Sequence, residues 1–246
     1  AALLPTLRRL DLLILLLVKT YLLVDALNGF LLQQYGQGLP LSAAYKSLLM
    51  ALMLLSCSLT LGRRITLLPV MMALLLIGPV ISFFSFGHAA GLSYDIGMVL
   101  KLLAPLLAAW YCFGLCQRDA GLAQRNLHQL MWLGFSIIVL NLLLGRLGYG
   151  LSAYLPSDYF PDQQLGSKGF FKATNELSAL LLVFSAYLFA WYWPRQKAVF
   201  ALVLVLSLFC SSTLLTKTGN AGVLLLALLI PFLQARSLWQ PYRRLI

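Results

Sequence analysis

Charge is what this chain has least of. Only 10% of its 246 residues are charged, and just seven of those are acidic. A soluble globular domain carries about 25% charged residues, so that class is excluded. Histidine is nearly absent, with only His88 and His128, and the four cysteines are scattered. Cys112 and Cys116 share a helix face, but no histidine or carboxylate joins them, which argues against a metal site and for ordinary buried thiols, as for Cys57 and Cys210. Repeats, disordered tracts and a soluble domain are missing too. The net charge of +11 would suggest nucleic acid in a soluble protein. In so apolar a chain it reads as topology, and no nucleic-acid partner is expected.

What is present is a series of continuous apolar runs, near 10–32, 40–61, 65–86, 94–115, 127–147, 175–194, 198–215 and 219–235. Each matches the roughly 20 residues that cross about 30 Å of hydrocarbon as a helix. The runs do not alternate and are too long for barrel strands, so the expected fold is all-α. It is a single polytopic transmembrane bundle, 1–246, with about eight spans. The first run lacks the pattern of a cleavable signal, because it is long and contains Lys19 and Asp25.

The cations fall in alternate gaps. Arg8, Arg9, Arg63, Arg64, Arg118, Arg125, Arg195, Lys197, Arg236, Arg243 and Arg244 lie on one side of an eight-span chain. Arg146, Lys168, Lys172 and Lys217 lie on the other. Eleven against four predicts that both termini are cytoplasmic. The long connector 148–174, rich in aromatics, glycine and proline, is then an extracytoplasmic loop, and loops of this length often carry function.

Topology does not explain every cation. Lys19, Lys46 and Lys101 sit within spans, where a central lysine costs about 2.5–3.5 kcal/mol. Lys46 and Lys101 fall in the outer thirds of their spans. Snorkelling to the headgroups accounts for single lysines. With Arg146, Lys168, Lys172 and Lys217 they form an outer-level group facing Asp25, Asp95, Asp158, Asp162 and Glu176. Such a group inside a bundle is suited to an anionic head at membrane level.

Two segments narrow the reading. Residues 168–180 read KGFFKATNELSAL, opening the sixth span. Thr174 or Asn175 is expected to cap that helix, and Glu176 suits its positive end. Residues 213–221 read TLLTKTGNA, where Thr216, Thr218 and Asn220 flank Lys217 with groups that bond phosphate or sugar.

Together these stretches resemble the O-antigen ligase and polymerase superfamily of bacterial glycan assembly. Gly169, Phe170, Phe171, Asn175 and Glu176 match its first motif; Thr216, Lys217 and Thr218 match its second. The resemblance implies a GT-C-like, metal-independent inverting glycosyltransferase without cofactor in the bacterial inner membrane. Its partners would be a polyprenyl-diphosphate-linked glycan and membrane lipid, with other glycan-assembly proteins as further associates. It implies catalytic roles for Glu176 and Lys217. Substrate would be held by Lys46, Lys101, Arg146, Lys168, Lys172, Asn175, Thr216 and Thr218. Many relatives have arginine where Lys217 stands. Family members also continue past the position of Ile246 with a further outer loop and more spans. The chain therefore reads either as part of a longer protein or as a reduced relative. A transporter or flippase for an anionic or lipid-linked substrate is the alternative reading, and a non-catalytic subunit of a glycan-assembly complex is a third. His88 and His128 read as bystanders.

The charge asymmetry is directly testable. A fluorescent protein fused after Ile246 should fluoresce and a fused periplasmic phosphatase should stay inactive; the reverse pattern would invert the topology.

Overall fold

The computed structural model describes residues 3–36, 41–61, 67–86, 89–154 and 165–235. Arg63, Arg64, His88, Asp158, Asp162, Arg236, Arg243 and Arg244 lie outside them. Among the described residues eight helices follow one another: α1 (Leu3–Tyr35), α2 (Leu41–Leu61), α3 (Leu67–Phe86), α4 (Ala89–Arg118), α5 (Ala120–Arg146), α6 (Thr174–Tyr192), α7 (Lys197–Leu214) and α8 (Lys217–Ala235). Two short strands, β1 (Leu151–Tyr154) and β2 (Leu165–Gly169), stand between α5 and α6. Among the described residues six helices are long and apolar enough to cross a membrane, compatible with a multi-pass membrane protein. Leu140, Val205 and Leu228 are exposed at 61%, 63% and 73%. Large aliphatic side chains turned outward on several helices suit lipid rather than water as the surrounding solvent.

Each apolar run corresponds to a helix, but the helices run past the expected boundaries. Arg118 ends α4 and Ala120 begins α5, so Asp119 alone separates them. Its carboxylate oxygen accepts the Leu122 N–H at 2.9 Å, capping the new helix within one residue. Arg125 therefore sits on α5 rather than in a connector. Cys57 and Cys210 are buried, but Cys112 and Cys116 are exposed, correcting the expectation of buried thiols: both occupy the outward stripe of α4.

The chain divides into two compact units, Ala1–Val18 with Ala43–Leu127, and Lys19–Ser42 with His128–Ile246. In the first, Ile14, Met53, Cys57, Leu107, Tyr111 and Leu115 form the core. Beside it Asp11 is only 4% exposed and accepts both Arg118 Nη2 contacts, at 3.1 and 3.0 Å. Ser56 Oγ donates to the same carboxylate at 3.0 Å, so α1, α2 and α4 share one charged joint.

In the second unit Leu177, Leu181, Phe184 and Leu188 lie on one stripe of α6, and Val203, Cys210 and Leu214 on one stripe of α7. These are helical spacings of three, four and seven. Small residues let the backbones approach, as in membrane helix pairs. Ser185 and Ser207 meet across α6 and α7 at 2.8 Å, and a Cβ on Gly134 would stand 2.6 Å from the Phe184 ring. Lys19 finds its partner in Gln129 Oε1 at 2.6 Å. At the far end of α6, Arg195 lies 4.2 Å from the Trp191 ring centre, and Trp132 donates to the Tyr192 hydroxyl at 2.9 Å. Such aromatics with adjacent cations are what a membrane–water boundary selects.

The Asp11 joint carries a stability prediction. Asp11→Asn removes the charge from a buried acceptor that holds Arg118 and Ser56, and should cost about 1–3 kcal/mol, since Arg118 is partly solvated. In a thermal melt of detergent-solubilised protein, Asp11→Asn should melt well below wild type, and Asp11→Leu with Arg118→Leu should recover most of the loss. An unchanged melt for the single variant would show that the pair contributes nothing.

Candidate functional site

The polar end of the second unit is built around the Asn141 side chain. Asn141 lies in α5, is 5% exposed, and meets the chain after β2. Its Nδ2 donates to the Lys168 carbonyl at 3.2 Å, and its Oδ1 accepts the Phe170 N–H at 3.1 Å. One carboxamide thus satisfies a backbone acceptor and a backbone donor that β pairing leaves over.

The connector expected as a loop contains an antiparallel pair. Leu151 faces Gly169, Ser152 faces Ser167 and Tyr154 faces Leu165. One step on β1 spans two residues on β2, so Lys168 is the extra residue of a β-bulge. A bulge breaks the alternation of the ladder and re-aims the side chain it carries. Gly169 follows with φ +57, and a Cβ there would strike Asn141. Glycine is required at that position both for its backbone conformation and for its contact. On α1, a Cβ on Gly29 would collide with the Phe170 carbonyl, and the Phe30 and Phe170 rings meet edge-on at 5.3 Å.

Three more bonds close this end. Thr174 Oγ1 donates to the Ala153 carbonyl at 3.2 Å, Tyr154 OH donates to the Leu215 carbonyl at 3.4 Å, and Ser178 Oγ meets Thr216 Oγ1 at 2.6 Å. They tie the strand pair to the start of α6 and to the α7–α8 turn. The expectation that Thr174 or Asn175 caps α6 is corrected: Ala173 is the N-cap and no side chain bonds there. The Thr174 hydroxyl is spent on β1 instead. Leu215, with φ +53, makes the turn between α7 and α8, a left-handed conformation that costs a leucine about 1–3 kcal/mol.

Eight of the ten predicted site residues lie in this unit, on the segments just described. Arg146 ends α5; Lys168 is the bulge; Lys172 precedes α6; Asn175 and Glu176 form its first turn; Thr216 precedes α8; and Lys217 and Thr218 begin it. Arg146, Lys172, Asn175, Glu176, Lys217 and Thr218 are exposed, Lys168 is half-buried and Thr216 is buried. Thr216 has its hydroxyl engaged by Ser178, so its part is to hold the turn. Lys46 and Lys101 belong to the first unit, on α2 and α4, and both are exposed.

Lys217 is the most telling placement. A cation in the first turn of a helix opposes the positive end of the dipole. Together with the backbone N–H groups of the first turn, it concentrates positive potential at that end of α8. Glu176 is the compensating charge at the start of α6. Its carboxylate bears electrostatically on Tyr21, which bonds to Asp25 on the same stripe of α1. Asn28 continues that stripe, buried, with its Oδ1 unpartnered among the described residues. Asp25 also accepts from Ser42 Oγ.

Sequence reasoning missed Asn141 and Ser178. An amide within an apolar span was a readable signal for Asn141; Ser178 carried none. His128 sits in an aromatic cluster, 3.3 Å from the Tyr192 hydroxyl. Among the described residues no group of three or more His, Cys, Asp or Glu is placed to hold a metal ion. No protein-family model matches this chain, and neither does any curated protein or solved structure.

Asn141→Leu should leave the Lys168 carbonyl and Phe170 N–H unpaired, costing about 1–3 kcal/mol each if they stay buried. Amide hydrogen exchange over residues 165–171 should then speed up sharply while α6 and α7 stay protected. Unchanged exchange would remove Asn141 as the clamp.

Proposed function

We propose that this chain is a membrane glycosyltransferase that polymerises or ligates undecaprenyl-diphosphate-linked glycans at the outer face of the bacterial inner membrane. In this reading it has eight spans, a GT-C-like bundle and both termini in the cytoplasm, and the polar end of the second unit faces outward. The observation that carries the reading is the gathering of Arg146, Lys168, Lys172 and Lys217 on segments tied by the Asn141, Tyr154 and Ser178 bonds. Those segments hold the two stretches by which the sequence resembles the O-antigen ligase and polymerase superfamily.

The chemistry follows from charge. An acceptor hydroxyl attacks the anomeric carbon; a new C–O bond forms as the bond to the lipid diphosphate breaks, with inversion. The electron pair leaves on the diphosphate, and the hydroxyl proton passes to the Glu176 carboxylate. Lys217, Lys168 and Lys172 stabilise the charge where it accumulates. The α8 N-terminus and Thr218 add donors that are already oriented. Glu176 and Asn175 orient the acceptor at the start of α6. Lysine supplies charge without the bidentate fork of arginine, so the grip on the diphosphate is a matter of local field more than of fixed geometry.

Lys217→Ala should abolish polymer formation in cells while leaving the amount of protein in the membrane unchanged. Lys217→Arg should retain activity. Normal polymer length and yield in Lys217→Ala would remove the residue from the mechanism.

A further inference from the structure

At the end of α5 the chain forms a cleft of about 190 Å³ that the diphosphate grip does not use. It is lined by Arg146, Gly148, Gly150, Ser152, Gly166 and Ser167, all within the second unit. We infer that this cleft is a subsite for a single sugar unit bearing a carboxylate, with Arg146 binding the carboxylate and the glycine-serine walls binding the hydroxyls. Only the source of the sugar, a lipid-linked chain, rests on the glycosyltransferase reading.

Size is the first argument. Pockets for drug-sized ligands run about 300–1,000 Å³, so this one suits one pyranose ring rather than a chain. The walls are the second. Gly148 and Gly150 have φ of +92 and +110, and Gly166 has +69, conformations that favour glycine and leave backbone bare along the cleft. A Cβ on Gly166 would stand 2.8 Å from the Thr213 carbonyl. The Ser167 hydroxyl is occupied, accepting the Gly169 N–H at 3.1 Å. The Ser152 hydroxyl bonds to none of the described residues and is available. Leu151 adds an apolar side against which the C–H face of a sugar can lie.

Charge is the third argument. Among the described residues Arg146 has no carboxylate partner. Its planar fork matches a carboxylate in two parallel hydrogen bonds. The other lining residues are neutral, so the cleft offers one positive charge among polar walls. That balance fits a monoanionic sugar acid. A diphosphate, with more charge on a smaller body, fits the three lysines better.

The test uses full-length protein in lipid nanodiscs, with glucuronate, glucose and inorganic phosphate as probes in saturation-transfer NMR. Glucuronate should give the strongest transfer, and Arg146→Ala should weaken its affinity roughly tenfold or more. Arg146→Lys should retain part of it, and Ser152→Ala should lower it. Arg146 is exposed at a helix end, so these variants should fold. Equal transfer from wild type and Arg146→Ala, or displacement of glucuronate by equimolar phosphate, overturns the inference. If glucuronate does not bind while Lys217→Ala still abolishes polymer, the subsite is lost and the enzyme reading stands. Glucuronate bound through Arg146, with normal polymer in Lys217→Ala, supports the subsite and removes the Lys217 mechanism.

Discussion

The Asn141 carboxamide donates to the carbonyl of the bulge residue Lys168 and accepts from the Phe170 N–H, with Gly169 between them. Where hydrocarbon surrounds a chain, non-helical backbone survives only if protein or trapped water satisfies it. The segment from Gly148 to Ala173 is non-helical wherever it is described, and it leans on helices that are otherwise apolar. Without an amide at Asn141 the strand pair has no polar anchor on α5. The Thr174, Tyr154 and Ser178 bonds then extend that anchorage to α6, α7 and α8. Each is individually modest, about 0.5–1.5 kcal/mol net. Their joint effect is positional: cations from three stretches of the sequence share one end of the unit.

The same end shows a division between residues whose polar groups are committed within the fold and residues that face outward. Thr216, Ser167 and Thr174 have their hydroxyls committed to neighbours. Lys172, Lys217, Thr218 and Glu176 are exposed. Both sets come from the same short stretches, and a threonine two positions from another can belong to either. Sequence composition alone does not separate them; hydrogen-bond geometry does.

Helix content was largely legible, because hydropathy over twenty residues integrates many weak preferences into one strong signal. Helix ends were not. The α4–α5 junction turns on a single aspartate capping its own successor, a bond that hydropathy averages away. The strand pair was hidden for a related reason: its strands have four and five residues, and a bulge disrupts the alternation that would reveal them. Among the candidate site residues, Lys168, Lys172 and Lys217 stood out in the sequence because they oppose the side-to-side charge bias, and the structure places them on segments that are tied together. Lys46 and Lys101 gave the same signal yet belong to the other unit, on α2 and α4. A lysine's long stem makes its place in the sequence a poor guide to where its charge rests.

The bulge also makes the strand pair a counting device. Connecting segments usually tolerate gain or loss of a residue, but here one residue fewer in β2 would erase the bulge and put Lys168 back in the regular alternation. Every side chain beyond that point would exchange faces. Over evolutionary time this stretch should therefore vary in composition more freely than in length, the opposite of an ordinary surface connection.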